Sequence, residues 1–107
     1  MELIQYSIIL VNLDPTLGSE IQKTRPCVIL SPNEMNKYLN TIVIAPMTSS
    51  LTKYPTRIHV NHDGIEGMIA IDQIRTVDKK RIIKVLGKLN KTEIKATKEV
   101  IKETFVD

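Results

Sequence analysis

Apolar and polar positions alternate in short, uneven blocks over the first two thirds of the chain and settle into a helical period only near its end. Residues 3–13, LIQYSIILVNL, are branched and apolar enough for a strand buried on both faces through its middle. Asp14 and Pro15 stop it, because proline restricts the residue before it and brings no ladder donor. A polar loop over residues 14–25 follows, with Gly18 as its flexible or left-handed point. CVILS (27–31) predicts a second strand and TIVIAP (41–46) a third, and PNEMNKYL between them predicts a helical turn or two from Pro32. TRIHV (56–60) reads as a fourth strand and NHDGIEG (61–67) as a turn-rich connector. MIAID (68–72) is the fifth strand and RIIKVLG (81–87) the sixth, ended by Gly87.

The tail changes period. Asn90 can cap a helix, and Glu93 three residues later completes a capping-box pattern. Ile94, Ile101 and Phe105 then fall on one face, bordered by Ala96 and Val100, while lysines 91, 95, 98 and 102 cover the rest. The predicted fold class is mainly β: one domain over residues 1–107, a small, bent antiparallel barrel with a C-terminal α-helix packed against it. Short strands with uneven loops favour that architecture over a βαβ unit.

Composition narrows the function classes. At 107 residues the chain can bury a real core, at a radius of gyration of roughly 13 Å. A second domain does not fit. Aromatic residues are few and tryptophan is absent, so isoleucine, valine and leucine must fill the interior. Residues 1–78 carry 6 Lys/Arg against 8 Asp/Glu, whereas residues 79–107 carry 9 against 4. The tail is therefore a basic segment that attracts a polyanion or an acidic partner, or a solvated lysine-rich helix face. Cys27 is the single cysteine, which rules out an internal disulfide, and inside PCVILS it reads as a small buried hydrophobe. Neither a signal peptide nor a membrane span is expected, the longest apolar run being residues 8–11, so a cytoplasmic location is the expectation.

Several chemistries lack their residues. Four scattered glycines make no phosphate loop, no cysteine pair or HExxH offers a zinc site, and the acidic residues form no DxD cluster. His59 and His62 read as edge or surface histidines beside turn residues. Neither a cofactor nor a metal is expected. What remains is a set of polar residues at strand ends: Arg25 before Pro26, Thr48 with Ser49 and Ser50, Arg57, and Asp72 with Gln73. A guanidinium fork matches two phosphate oxygens and a threonine hydroxyl can donate to a third, which together would clamp a phosphodiester. Each also has a plainer reading. Arg25 can pin the loop through Glu20 or Asp14, Thr48 is a natural turn residue, Asp72 can cap a turn, and Arg57 can be a solvent charge.

VNLDPTLGSEIQKTRPCVILSPN resembles the signature of the MazF/PemK-like toxins of bacterial toxin–antitoxin systems. The likeness continues in order through TIVIAPMTSS, KYPTRIHV, GIEGMIAIDQIRTVDKKRI, LGKL and a terminal helix, and so covers nearly the whole chain. It implies an SH3-like barrel of the CcdB/PemK type, a homodimer, and a cytoplasmic endoribonuclease that cuts single-stranded RNA at a short sequence motif. It also implies a cognate antitoxin whose disordered acidic C-terminal tail wraps the toxin and obstructs the RNA site, with DNA engaged only through that antitoxin. On this resemblance the catalytic arginine falls on Arg25 and the catalytic threonine on Thr48, while the family's DQ pair falls on Asp72 and Gln73. Gly18, Ser19 and Glu20 belong to the first loop, where residues 15–23 resemble a flap beside the substrate groove. Ser49, Arg57 and Arg75 are auxiliary or RNA-contacting candidates.

Two departures stand out. Many relatives carry Gly-Asp where this chain has Tyr6 and Ser7. The branch that uses the DQ carboxylate as base has an arginine two positions earlier, where this chain has Ala70, which weakens a base role for Asp72. RNA brings its own nucleophile, the 2′-hydroxyl, so the expected products are a 2′,3′-cyclic phosphate and a 5′-hydroxyl without a metal. Two rival readings remain: a non-catalytic CcdB-like toxin that binds gyrase, and a nucleic-acid-binding barrel that only grips phosphate.

Overall fold

Alternate residues along the first strand enter two different cores. In β1 (Ser7–Asn12), Ile8 joins one buried cluster while Ile9 and Val11 join another, as a strand of period two requires when both faces are covered. The computed structural model describes residues 2–13, 24–62 and 64–106. Its remaining strands are β2 (Thr24–Ile29), β3 (Thr41–Thr48), β4 (Arg57–His62), β5 (Ile65–Ala70), β6 (Arg75–Asp78) and β7 (Ile82–Lys88). A short helix, α1 (Asn33–Tyr38), joins β2 to β3, and α2 (Lys91–Phe105) follows β7. The Cα radius of gyration is 13.3 Å.

All seven strands form one curled antiparallel sheet in the order β4-β5-β3-β2-β1-β7, with β6 also on β3. The centre of the sheet is β3. It pairs with β2 along one edge through Ile44, Ala45 and Pro46. Along the other edge it pairs first with β6, over Thr41 to Ile44, and then with β5, over Met47 and Thr48. One face collects Ile8, Val28, Ala45, Met47, Val60 and Ile69, and α2 closes it through Ile94, Ala96, Val100 and Ile101. The other face collects Ile9, Val11, Cys27, Ile29, Ile42, Ile44 and Val77.

The helix starts as its sequence predicts. Asn90 Oδ1 accepts from the Glu93 N–H at 2.8 Å, and Glu93 Oε1 accepts from the Asn90 N–H at 2.9 Å. Its buried face is shifted from expectation. Phe105 is 59% exposed, whereas Thr97 is fully buried and satisfies its hydroxyl on the Glu93 carbonyl. No helix among the described residues is long and apolar enough to cross a membrane.

Several boundaries differ, each for a local reason. The first strand begins at Ser7 because Tyr6 turns left-handed, with φ +69°, donating to the Ile29 carbonyl and accepting from the Leu89 N–H. Glycine favours that conformation, so Tyr6 occupies a position of demanding backbone. The expected connector over residues 61–67 is instead a β4–β5 hairpin, with Gly64 at φ +77° in its turn. Ile71 and Asp72 leave the fifth strand for a 3-10 turn, Ile71–Gln73. The strand β6 was not expected, since RTVD has one buried apolar residue and takes its extended form from pairing with β3.

Candidate active site

Strand register brings Arg25 and Thr48 to one face. Both lie inside strands, Arg25 second in β2 and Thr48 last in β3. Residues directly opposite each other in a sheet project to the same side, and so do residues two apart on one strand. Cys27 pairs with Pro46, so Arg25 and Thr48, each two residues further on, share the face of Cys27 and Ile44. That is the face opposite α2. Beyond Cys27 and Pro46 the two strands form no further pair with each other among the described residues. Arg25 is held by Val11 of β1, and Thr48 by Met68 of β5.

The two side chains are poised differently. Arg25 is exposed, and its guanidinium has no partner among the described residues. Thr48 is half-buried, and its Oγ1 accepts from the Ser50 N–H at 3.2 Å. Because a hydroxyl both donates and accepts, this contact orients the oxygen and leaves its proton available to an incoming acceptor. Gly67 permits the arrangement: a Cβ there would lie 2.7 Å from the Thr48 carbonyl oxygen. Nothing in the sequence singled Gly67 out; the turn-rich reading of its segment hid it.

Arg75, at the start of β6, pairs with Ile44 and so faces the same side. Burial pushes the Cys27 thiol up to about 12, and the positive charges of Arg25 and Arg75 partly oppose that rise, which places both guanidinium groups in the neighbourhood of one sulfur. Cys27 is fully buried, as its sequence context predicts.

Arg57 belongs to a different arrangement. Its Nε donates to Asp72 Oδ1 at 2.8 Å and its Nη2 to Oδ2 at 3.2 Å, while Thr56 Oγ1 donates to Oδ1 at 2.9 Å. The guanidinium also lies 5.3 Å from the centre of the Tyr54 ring. The hydrogen bond from Arg57, reinforced by that from Thr56, holds the Asp72 carboxyl down at about 2. A carboxylate so depressed and so fully engaged is a poor proton acceptor at neutral pH. Ser49 and Gln73 are exposed. Gly18, Ser19, Glu20 and the rest of the 15–23 flap lie outside the described residues. Among the described residues no group of three or more His, Cys, Asp or Glu side chains is placed to hold a metal.

A family model described as PemK-like, MazF-like toxin of type II toxin–antitoxin system matches residues 4–105. The chain belongs to this family. A relative in it, Endoribonuclease MazF of Staphylococcus epidermidis, is 32% identical over 93 residues, spanning 81% of this chain and 78% of that protein. Two solved structures share the fold at lower identity. The MazE–MazF complex from Deinococcus radiodurans (Form-II) superposes at a TM-score of 0.84 with 22% identity, covering 96% of this chain and 95% of that one. An endoribonuclease in complex with its cognate antitoxin from a mycobacterial species gives 0.82 with 17% identity, covering 94% and 92%. The SH3-like MazF/PemK architecture inferred from the ordered sequence blocks is thus the architecture observed.

Proposed function

We propose that this chain is a sequence-specific endoribonuclease toxin that cuts single-stranded RNA without a metal, acts in the cytoplasm as a homodimer, and is neutralised by a cognate antitoxin. The observation that carries the reading is the Arg25 guanidinium, exposed and without a partner among the described residues, on the same sheet face as an oriented Thr48 hydroxyl, in a chain of this toxin family. The relative named an endoribonuclease and the neighbours solved with antitoxins support the activity and the partner.

The chemistry follows from charge. Attack of the ribose 2′-oxygen on phosphorus forms the P–O2′ bond and breaks P–O5′, leaving a 2′,3′-cyclic phosphate and a 5′-hydroxyl. Negative charge gathers on the equatorial oxygens in the transition state, where Arg25 donates to two of them and Thr48 to one. Guanidinium groups stay protonated, so Arg25 supplies charge and position, not a base. The 2′-hydroxyl proton reaches the departing 5′-oxygen through a phosphate oxygen. Asp72, locked by Arg57, holds the turn at Ile71–Gln73 and takes no proton.

Incubating the purified protein with single-stranded RNA in excess EDTA tests this. Cleavage to cyclic-phosphate ends, with an all-deoxy strand left uncut, is the expected result. Cleavage abolished by EDTA and restored by Mg²⁺ would overturn the metal-free mechanism. A folded protein that cuts no RNA would return the gyrase-binding and phosphate-gripping readings.

A further inference from the structure

A second feature lies on the same sheet face, two strands away from Thr48. Thr48 of β3 pairs with Met68 of β5, and Met68 in turn pairs with His59 of β4. The three residues form one transverse row and project to the same side. Neighbouring strands stand about 4.8 Å apart, so the backbone of His59 lies about 10 Å from that of Thr48. A cavity of about 400 Å³ sits over the Met68 and His59 end of this row, lined by Leu51, Lys53, His59 and Met68. Met68 is 5% exposed and forms an apolar floor, while Leu51, 49% exposed, provides an apolar wall. The polar groups stand at the rim.

The polar rim has a defined donor and acceptor pattern. His59 Nε2 lies 3.0 Å from Glu66 Oε2. A carboxylate only accepts, so that nitrogen carries the proton, and in the neutral ring Nδ1 is left as an acceptor. Lys53 adds a donor. An apolar slot with one acceptor and one donor at its edge suits a flat heterocycle that stacks through its face and is read along its rim.

Resting on the endoribonuclease reading, we propose that this cavity seats a nucleobase flanking the phosphodiester held by Arg25 and Thr48, with His59 and Lys53 reading its edge and Leu51 and Met68 covering its face. His59 is then a specificity-determining residue of the toxin. The site also explains why the 49–56 segment runs beside Thr48: it brings Leu51 and Lys53 to a base while Ser50 orients the hydroxyl that holds the phosphate.

The test compares wild type, His59→Gln and Lys53→Ala on a set of RNAs that carries all four bases at each position around the cleaved linkage. The expected result is that the spread of rates among bases narrows about 10-fold at one position and is unchanged elsewhere. An unchanged spread of rates among bases at every position in both variants overturns the proposal, whatever happens to overall rate. An uncleavable 2′-O-methyl oligonucleotide supplies a readout independent of catalysis. The Met68 methyl resonance is expected to shift when the flanking base is present and to stay still when that nucleotide is abasic. No Met68 shift with either strand overturns the nucleobase seat. A wild-type protein that cuts no RNA but shows the base-dependent shift retains the seat and loses only the endoribonuclease reading.

Discussion

Arg25 and Arg57 face the same side of the same sheet, and the two could hardly be more differently employed. Arg57 gives two hydrogen bonds to Asp72, stacks over Tyr54, and keeps 13% of its side chain exposed. Arg25, second in β2, is exposed and has no partner among the described residues. The comparison separates two tasks that one residue type performs. An arginine whose donors are occupied fixes geometry, here tying the start of β4 to the turn at Ile71–Gln73. An arginine whose donors are unengaged among the described residues is left able to meet a ligand. Sequence alone nominated both as phosphate contacts, and only their surroundings tell them apart.

Substitution at the two arginines gives the largest expected contrast. Arg25→Ala should lower kcat on single-stranded RNA about 1,000-fold and Thr48→Ala about 100-fold, with circular dichroism showing both still folded. Arg57→Ala should change kcat less than about 10-fold and reduce stability by about 1 kcal/mol in urea unfolding. Equal losses of rate at Arg25 and Arg57 would erase the distinction.

An effect of intermediate size is expected at Gly67. A methyl group there meets the Thr48 carbonyl at 2.7 Å, so Gly67→Ala should cost about 2 kcal/mol through forced displacement of the backbone. The displaced backbone carries Thr48, so kcat should fall in the same variant while the Arg25 end of the site is untouched. Full activity in a destabilised Gly67→Ala protein would show that Thr48 tolerates the shift.

The smallest effect sharpens the role of Asp72. Its carboxyl is lowered from 3.8 to about 2, so it stabilises the fold at pH above about 4 and the benefit is lost as pH falls through about 2. With the carboxylate side chain 37% exposed, solvent screening leaves about 1 kcal/mol. Asp72→Asn should therefore be less stable than wild type by about that amount at pH 7, with the gap closing between pH 4 and 2 in unfolding titrations. Its cleavage rate at pH 7 should stay within about threefold of wild type. A hundredfold loss would make Asp72 the base after all.

Much of this architecture was legible in the chain. The switch to a helical period, the Asn90 and Glu93 cap, the buried Cys27 and the ordered blocks of branched residues each have a local cause that survives in the fold. What escaped was set by pairing. RTVD extends because β3 offers it an edge, and the hairpin at Gly64 was hidden in a segment rich in turn formers. Arg57 and Asp72 lie 15 residues apart, and nothing in their local sequence announces that they meet. The shared face of Arg25 and Thr48 depends on register, which a single sequence does not display. Phe105 had the spacing of a core residue, yet α2 presents Thr97 to the sheet and leaves Phe105 in solvent.

The pairing of β1 with β7 joins strands at opposite ends of the chain, Ser7 to Lys88 and Val11 to Ile82. A product truncated before residue 82 would leave the outer edge of β1 bare, and with it a row of unpaired backbone groups open to other chains. Synthesis stopped early would thus produce a sticky fragment instead of a weaker poison.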